Sequence, residues 1–205
     1  MEKIDFKKTE KLLYRPAAKA AVEVDVPSMN FLMIDGVGAP GCPDFVDAVS
    51  TLYPVAYTLK FMAKQGALAT DYVVLPLEGL WWADDWSVFK SDDRGKWKWT
   101  VMIRQPDFLT QEMVEEAIAT VTRKKNPPAI ANLRFAAFEE GLCAQIMHIG
   151  PFSEEGPTVD KLHAFIDARG EHRGKHHEIY LSDVRRAAPA NWKTVIRQPM
   201  HTHPA

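Results

Sequence analysis

The sequence predicts an α+β fold made of two β-α-β-β units, and three repeated landmarks carry that prediction. Ile-Arg-Gln-Pro occurs at 103–106 and again at 196–199, each time behind a tryptophan-bearing stretch, KWKWT or NWKT. FLMIDGVGAP (31–40) and CAQIMHIGPF (143–152) share Met, two residues, then Gly, at Met33/Gly36 and Met147/Gly150. Between these landmarks YVVLPLEGLWW (72–82) aligns without a gap on HHEIYLSDVRR (176–186). Three landmarks in one order indicate a duplication. The expected organisation is a single domain over 1–205: copy one at about 29–106, a linker helix at about 110–125, and copy two at about 133–199. A cleft between the two copies is the expected ligand site.

Each copy opens with a strand ending at Gly36 or Gly150, where glycine permits a turn. A helix follows in copy one, roughly 44–64, because Phe45, Val49, Leu52, Ala56 and Leu59 recur at three- and four-residue steps. Pro54 lies inside that run and is expected to kink or split it. The matching helix of copy two is expected at roughly 158–168, with Val159, Leu162, Phe165 and Ile166 on one side and Gly170 as a stop signal. Two hairpins complete the copies, 71–78 with 97–104 and 176–182 with 192–198. The insertion in the first hairpin carries Trp81, Trp82 and Trp86. The linker helix starts at Thr110, a good N-cap, and carries acids early and bases late, as its dipole favours.

Composition narrows the function. A formal charge of -2 over 205 residues removes the electrostatic case for nucleic-acid binding. No signal peptide or membrane-length apolar run is present, so a cytoplasmic protein is expected. Cys42 and Cys143 stand in unrelated contexts and are expected as reduced thiols. Neighbouring His176 and His177 point to opposite faces of a strand, and no second ligand pair has useful spacing, so no metal and no cofactor is expected. His201 and His203 read as a tail. There is no nucleophile elbow, phosphate loop or dinucleotide fingerprint.

Alternation along HHEIYLSD puts Glu178, Tyr180 and Ser182 on one face and His177, Ile179 and Leu181 on the other. The apolar side is expected to meet the helix, which turns Glu178 and Tyr180 toward the cleft. By the same alignment Val74, Pro76 and Glu78 face the cleft in copy one, with Glu78 at a strand end where turn carboxylates are common. A carboxylate among apolar and aromatic walls can attract a cation or, with a raised pKa, move a proton. An exposed glutamate on a solvated sheet is the other reading. The tryptophans of LWWADDW, with Trp97 and Trp99, pack a core or cage a flat ligand.

PLEGLWW, AVSTLYPVAYTLKF, QIMHIGPFSEEGPT, HHEIYLSDVRR and KTVIRQP, in this order from about Val26 to Pro199, resemble the GyrI-like small-molecule-binding family. DGVGAPG departs from the Asp-Pro-Asn that the family more often carries in the first loop. The resemblance implies the same duplicated fold and, at Glu178, the position of a glutamate that meets cationic drugs in multidrug-sensing regulators. Stand-alone members with PLEGLWW resemble cyclopropanoid cyclopropyl hydrolases, which open the strained ring of DNA-alkylating compounds and so detoxify a xenobiotic. On that resemblance Glu178 is expected to activate water with Tyr180 as donor or wall, and Tyr57, Trp81, Trp97, Trp99, His148 and Phe152 to form an aromatic cage. The expected partner is a planar heteroaromatic or cationic small molecule, with no nucleic acid and no membrane. Sequestration of such drugs without chemistry is the alternative.

Overall fold

The computed structural model describes residues 3–85 and 94–203; the predicted tryptophan-bearing insertion, with Trp86, falls partly outside them. In chain order the elements are strand β1 (Lys3–Ile4), helical turns α1 (Phe6–Thr9) and α2 (Lys11–Tyr14), strands β2 (Val22–Val26) and β3 (Met29–Val37), helix α3 (Pro43–Gln65), strands β4 (Asp71–Tyr72), β5 (Leu77–Trp82) and β6 (Lys98–Gln105), helix α4 (Gln111–Lys124), strands β7 (Arg134–Phe138) and β8 (Gly141–Ile149), helix α5 (Gly156–Asp167), and strands β9 (Gly170–His172), β10 (His176–Tyr180) and β11 (Lys193–Thr202). The fold is α+β, as the sequence predicts. The chain divides into two units: one of residues 3–6, 29–75, 81–85 and 94–138, the other of 7–28, 76–80 and 139–203.

In the first unit β3 pairs antiparallel with β6 and with β7. Helix α3 lies on β3 and β6, and α4 lies on α3. The buried residues of α3 include Ala48, Leu52, Val55, Ala56, Leu59 and Ala63, the three- and four-residue spacing of one helical stripe. The helix continues as one element through Pro54 rather than splitting there. Its stripe carries one cation, Lys60, which donates to Asp71 and to the carbonyl of Tyr72; Lys64 adds a 3.0 Å contact to Asp71. These hydrogen bonds, more than the lysines' charge alone, hold the Asp71 carboxyl down at about 2. The linker helix begins as expected, with the Thr110 hydroxyl accepting from Met113 N at 3.4 Å.

The predicted strand 71–78 is not formed. Asp71–Tyr72 instead pairs with β1, and regular strand resumes only at Leu77. Pro76 has no amide hydrogen to give a sheet and biases Leu75 before it, which explains why the run breaks there. The hairpin strand of copy one is therefore β5, several residues later than the ungapped alignment places it.

The second unit carries the antiparallel order β2-β8-β11-β10, with β9 pairing the end of β11. His201 pairs with Glu171 in that ladder, so it is a strand residue and not part of a tail. The register sets Glu178 opposite Ile196 and Ile196 opposite Ile146, and it sets Tyr180 opposite Thr194 and Thr194 opposite His148. Residues directly opposite in an antiparallel ladder share a face. Ile196, Ile146 and Ala144 pack with Leu162 and Ile166 of α5. Glu178 and Tyr180 therefore lie on the face that α5 covers. This corrects the expectation that His177 and Ile179 would meet the helix. The His177 face of β10 is fully buried and the Glu178 face half-buried, so apolar alternation alone could not say which face the helix takes. No helix of the described residues is long and apolar enough to cross a membrane.

Candidate functional site

On the α5 side of the second unit a carboxylate meets aromatic rings. Glu178 is half-buried, with its Oε1 3.3 Å from Nε2 of His176. Tyr180, one strand step pair onward, is also half-buried and meets the edge of Phe152 at 5.6 Å between ring centres. Phe152 in turn tilts over Trp192 at 5.0 Å and keeps 41% of its surface exposed. The Trp192 indole is fixed by a 2.9 Å hydrogen bond to the Ala187 carbonyl. Of the residues expected around a ligand, the structure thus brings Glu178, Tyr180 and Phe152 to one face.

Sequence reasoning missed three further members of this group. Trp192 was visible only as part of the NWKT repeat. Glu155, 8% exposed at the start of α5, and Thr194, fully buried on β11, lie inside QIMHIGPFSEEGPT and KTVIRQP, but neither stands out there by spacing or chemistry. Burial, with the charge of Glu178 second, raises the Glu155 carboxyl to about 8. At neutral pH Glu155 is therefore a neutral acid beside an anionic neighbour.

His148 stands in the same row across the sheet, yet its ring is committed within the fold. Nε2 lies 3.2 Å from the Pro151 carbonyl, which can only accept, so Nε2 carries the hydrogen. Nδ1 is hydrogen-bonded to the Thr158 hydroxyl at 3.0 Å. With 5% of its surface exposed, His148 ties β8 to α5 rather than lining a cage.

The other predicted cage residues belong to the first unit. Trp81 stacks on Phe45 at 5.7 Å and 20°, and Trp99 meets the same ring edge-on at 5.3 Å. Trp97 meets the edge of Trp81 at 6.1 Å and lies under the Arg94 guanidinium. Trp81 and Trp99 are 4% and 1% exposed, so they are core rings beneath α3; Trp97 is half-buried. Tyr57 is 47% exposed on α3, 6.4 Å from Tyr53.

The opposite face of β10 holds a buried ionic cluster. His177 lies 2.9 Å from Glu140 Oε2 through Nδ1 and 3.0 Å from Glu78 Oε2 through Nε2. Both carboxylates accept, so both ring nitrogens donate and the ring is an imidazolium. Arg197 closes the cluster, 3.1 Å from Glu140 and within 3.1–3.2 Å of Gln145, and its other nitrogen reaches the Leu13 carbonyl at 2.8 Å. Burial alone opposes the charged ring, but the two carboxylates outweigh it and lift His177 to about 9. Glu140 is likewise penalised by burial, and His177 with Arg197 still holds it down at about 2. Glu78 is 1% exposed, which corrects its reading as a turn carboxylate turned toward a cleft. Glu140 and Arg197 complete a cluster that no local spacing announces.

Among the described residues no group of three His, Cys, Asp or Glu could hold a metal ion. Cys42 and Cys143 are free thiols, and burial pushes the Cys143 thiol up to about 12.

The family of GyrI-like small molecule binding domains matches residues 22–201. A solved hydrolase from Listeria innocua is 43% identical, covered over 100% of its length by 97% of this chain, with a TM-score of 0.84. A further structure of a hydrolase from the same organism is 44% identical over 98% of this chain and 100% of its own, with a TM-score of 0.86. An uncharacterized conserved protein, also from Listeria innocua, is 45% identical over 97% of this chain and 100% of its own, with a TM-score of 0.89. A comparison with curated proteins returned no match.

Proposed function

Because the chain belongs to the family of GyrI-like small molecule binding domains, we propose that it binds a planar, apolar heteroaromatic molecule and hydrolyses it with Glu178 as the base. The observation that carries this reading is the Glu178 carboxylate, half-buried beside the Tyr180 and Phe152 rings. The likeness to two Listeria innocua hydrolases over nearly the whole chain supports hydrolysis as the reaction class.

The proposed substrates are cyclopropanoid DNA-alkylating compounds, in which a cyclopropane is conjugated to a dienone. Ring faces such as Phe152 and Tyr180 bind a flat apolar body and exclude bulk water. Glu178 takes a proton from one water molecule as its oxygen bonds to the ring CH2. The cyclopropane C–C bond breaks, its electrons pass into the dienone, and the carbonyl oxygen becomes a phenolate that then takes up a proton. The Tyr180 hydroxyl is a donor suited to the charge growing on that oxygen.

Incubation with a cyclopropanoid alkylator should yield the ring-opened hydrate, seen by mass spectrometry as a gain of one water. Glu178→Gln should lower kcat by about 10²–10⁴-fold, the usual contribution of a general base. Binding by the wild type with no hydrate formed overturns hydrolysis and leaves sequestration of planar or cationic drugs as the function.

A further inference from the structure

Glu178 shares its face with a second carboxyl group whose surroundings a purely structural residue does not need. Glu155 occupies the N-cap position of α5 yet makes no side-chain cap bond. Its Oε1 and Oγ1 of Thr194 are both buried, and the Thr194 hydroxyl is the carboxyl's hydrogen-bond partner, offsetting only in part the upward push of burial. Thr194 lies opposite Tyr180 on β10, which puts its hydroxyl on the α5 side, one strand step pair from the Glu178 position. Burying a carboxyl that a single hydroxyl partners still carries a desolvation cost. Apolar residues at these two positions would avoid that cost, so the arrangement calls for a use.

The electrostatics point the same way. The N-terminus of a helix favours an ionised carboxylate, and Glu155 sits at one. Burial and the charge of Glu178 nonetheless win, and the group titrates near 8. The titratable groups about this pair include His176 on β10, 3.3 Å from Glu178, Tyr180 on the same strand, His148 on β8, Glu154 in the turn before α5, and His163 on α5, which interacts with His176. The ring of His148 is committed to Thr158 and Pro151, and Glu154 is exposed. Two carboxyl groups that interact this way titrate as a pair and not as individuals.

We propose that Glu155 and Glu178 form one acid pair that keeps a single proton, Glu155 storing it so that Glu178 stays ionised as the base. Glu155 is then a positioning residue that acts through Glu178, and the proposal rests on the hydrolytic reading above. In each turnover Glu178 accepts the water proton, so the pair briefly holds two. It returns one to the phenolate oxygen formed by cleavage of the C–C bond and resumes its singly protonated state. Once the resting pair has lost its stored proton, it retains the one that water supplies, and product is no longer protonated within the site.

Carbon-13 NMR of protein labelled at the glutamate carboxyls tests the pair directly. One signal should titrate near pH 8 and be absent from Glu155→Gln, and in Glu178→Gln no signal should keep that midpoint, the highest falling by about one unit or more. Titration of Glu155 in the ordinary carboxylate range, or a midpoint unmoved in Glu178→Gln, overturns the proposal. The second variant leaves Glu155 native, so the test stands even where Glu155→Gln fails to fold. In kinetics, wild-type kcat should fall as pH rises through about 8, and Glu155→Gln should lose that limb along with about 10-fold or more of the rate. Hydrate formed with an ordinary Glu155 titration sinks the pair alone. A coupled titration without hydrate sinks the hydrolytic role and leaves the shared proton standing.

Discussion

His177 as a neutral imidazole would strand one of the two carboxylates that accept its hydrogens, and each of those is buried almost completely. The cluster is therefore sensitive to the loss of any one member. Glu140→Gln removes the charge that both His177 and Arg197 face, and should destabilise the protein by about 3–5 kcal/mol in urea denaturation, as breaking a buried ion pair does. The replacement is nearly isosteric, so lost packing does not explain a loss of that size. Sequence alternation correctly separated His177 from Glu178. It could not show that the His177 side is ionic, because Glu78, Glu140 and Arg197 reach it from three different strands or connections. Nor could it find Glu155, whose neighbours Glu154 and Gly156 look like any exposed turn.

Element by element, the repeat located β3, α3, α5, β10 and β11 to within a few residues, because each has an apolar period or a repeated landmark. It missed β2 and β7, five-residue strands outside the repeated landmarks, and it misread 71–78 because Pro76 broke a run that hydropathy alone joins. The seat of α3 on its sheet has a sharp steric condition. The Trp99 indole lies over Gly36, and a Cβ added there would stand 2.2 Å from two of its ring carbons. Trp99 is wedged against Phe45 of α3 and is 1% exposed, so it has no room to yield. Gly36→Ala should cost about 1–3 kcal/mol by overpacking. A thermal midpoint unchanged from wild type would show that the indole swings aside.

The whole molecule's stability should follow its perturbed groups across pH. Stability rises with pH where the unfolded chain binds more protons, and falls where the native state does. Glu140 and Asp71, each held at about 2 when folded, lend stability that is complete above about pH 4.5 and is lost toward pH 2. Glu155 and His177 act oppositely, because the native state keeps their protons longer. Stability should fall from about 4.5 to about 8 through Glu155, and from about 6.5 to about 9 through His177. His163, lowered chiefly by burial, opposes this just below 6.5. Denaturant midpoints measured across pH should peak on the acid side, near pH 5, and decline steadily to pH 9. Glu155→Gln should flatten the first part of that decline and leave the part due to His177. A maximum at pH 8 would contradict both assignments.

His177 and Glu178 are adjacent on one strand and serve two incompatible proton environments. A slip of β10 that brings Glu178 into the place of His177 would drive a carboxylate into the cluster of Glu78 and Glu140 and leave Ile179 where Glu178 stood. Such a frame would meet repulsion on one side and lose its base on the other. The salt cluster thus bars that alignment of β10 against β11, and the opposite slip, which seats His176 in the cluster, still costs the site its base by putting His177 where Glu178 stood. With the strand keyed from behind, Phe152, Tyr180 and Trp192 are free to drift in size and polarity. Selection can then retune what the protein takes up without disturbing where Glu178 stands.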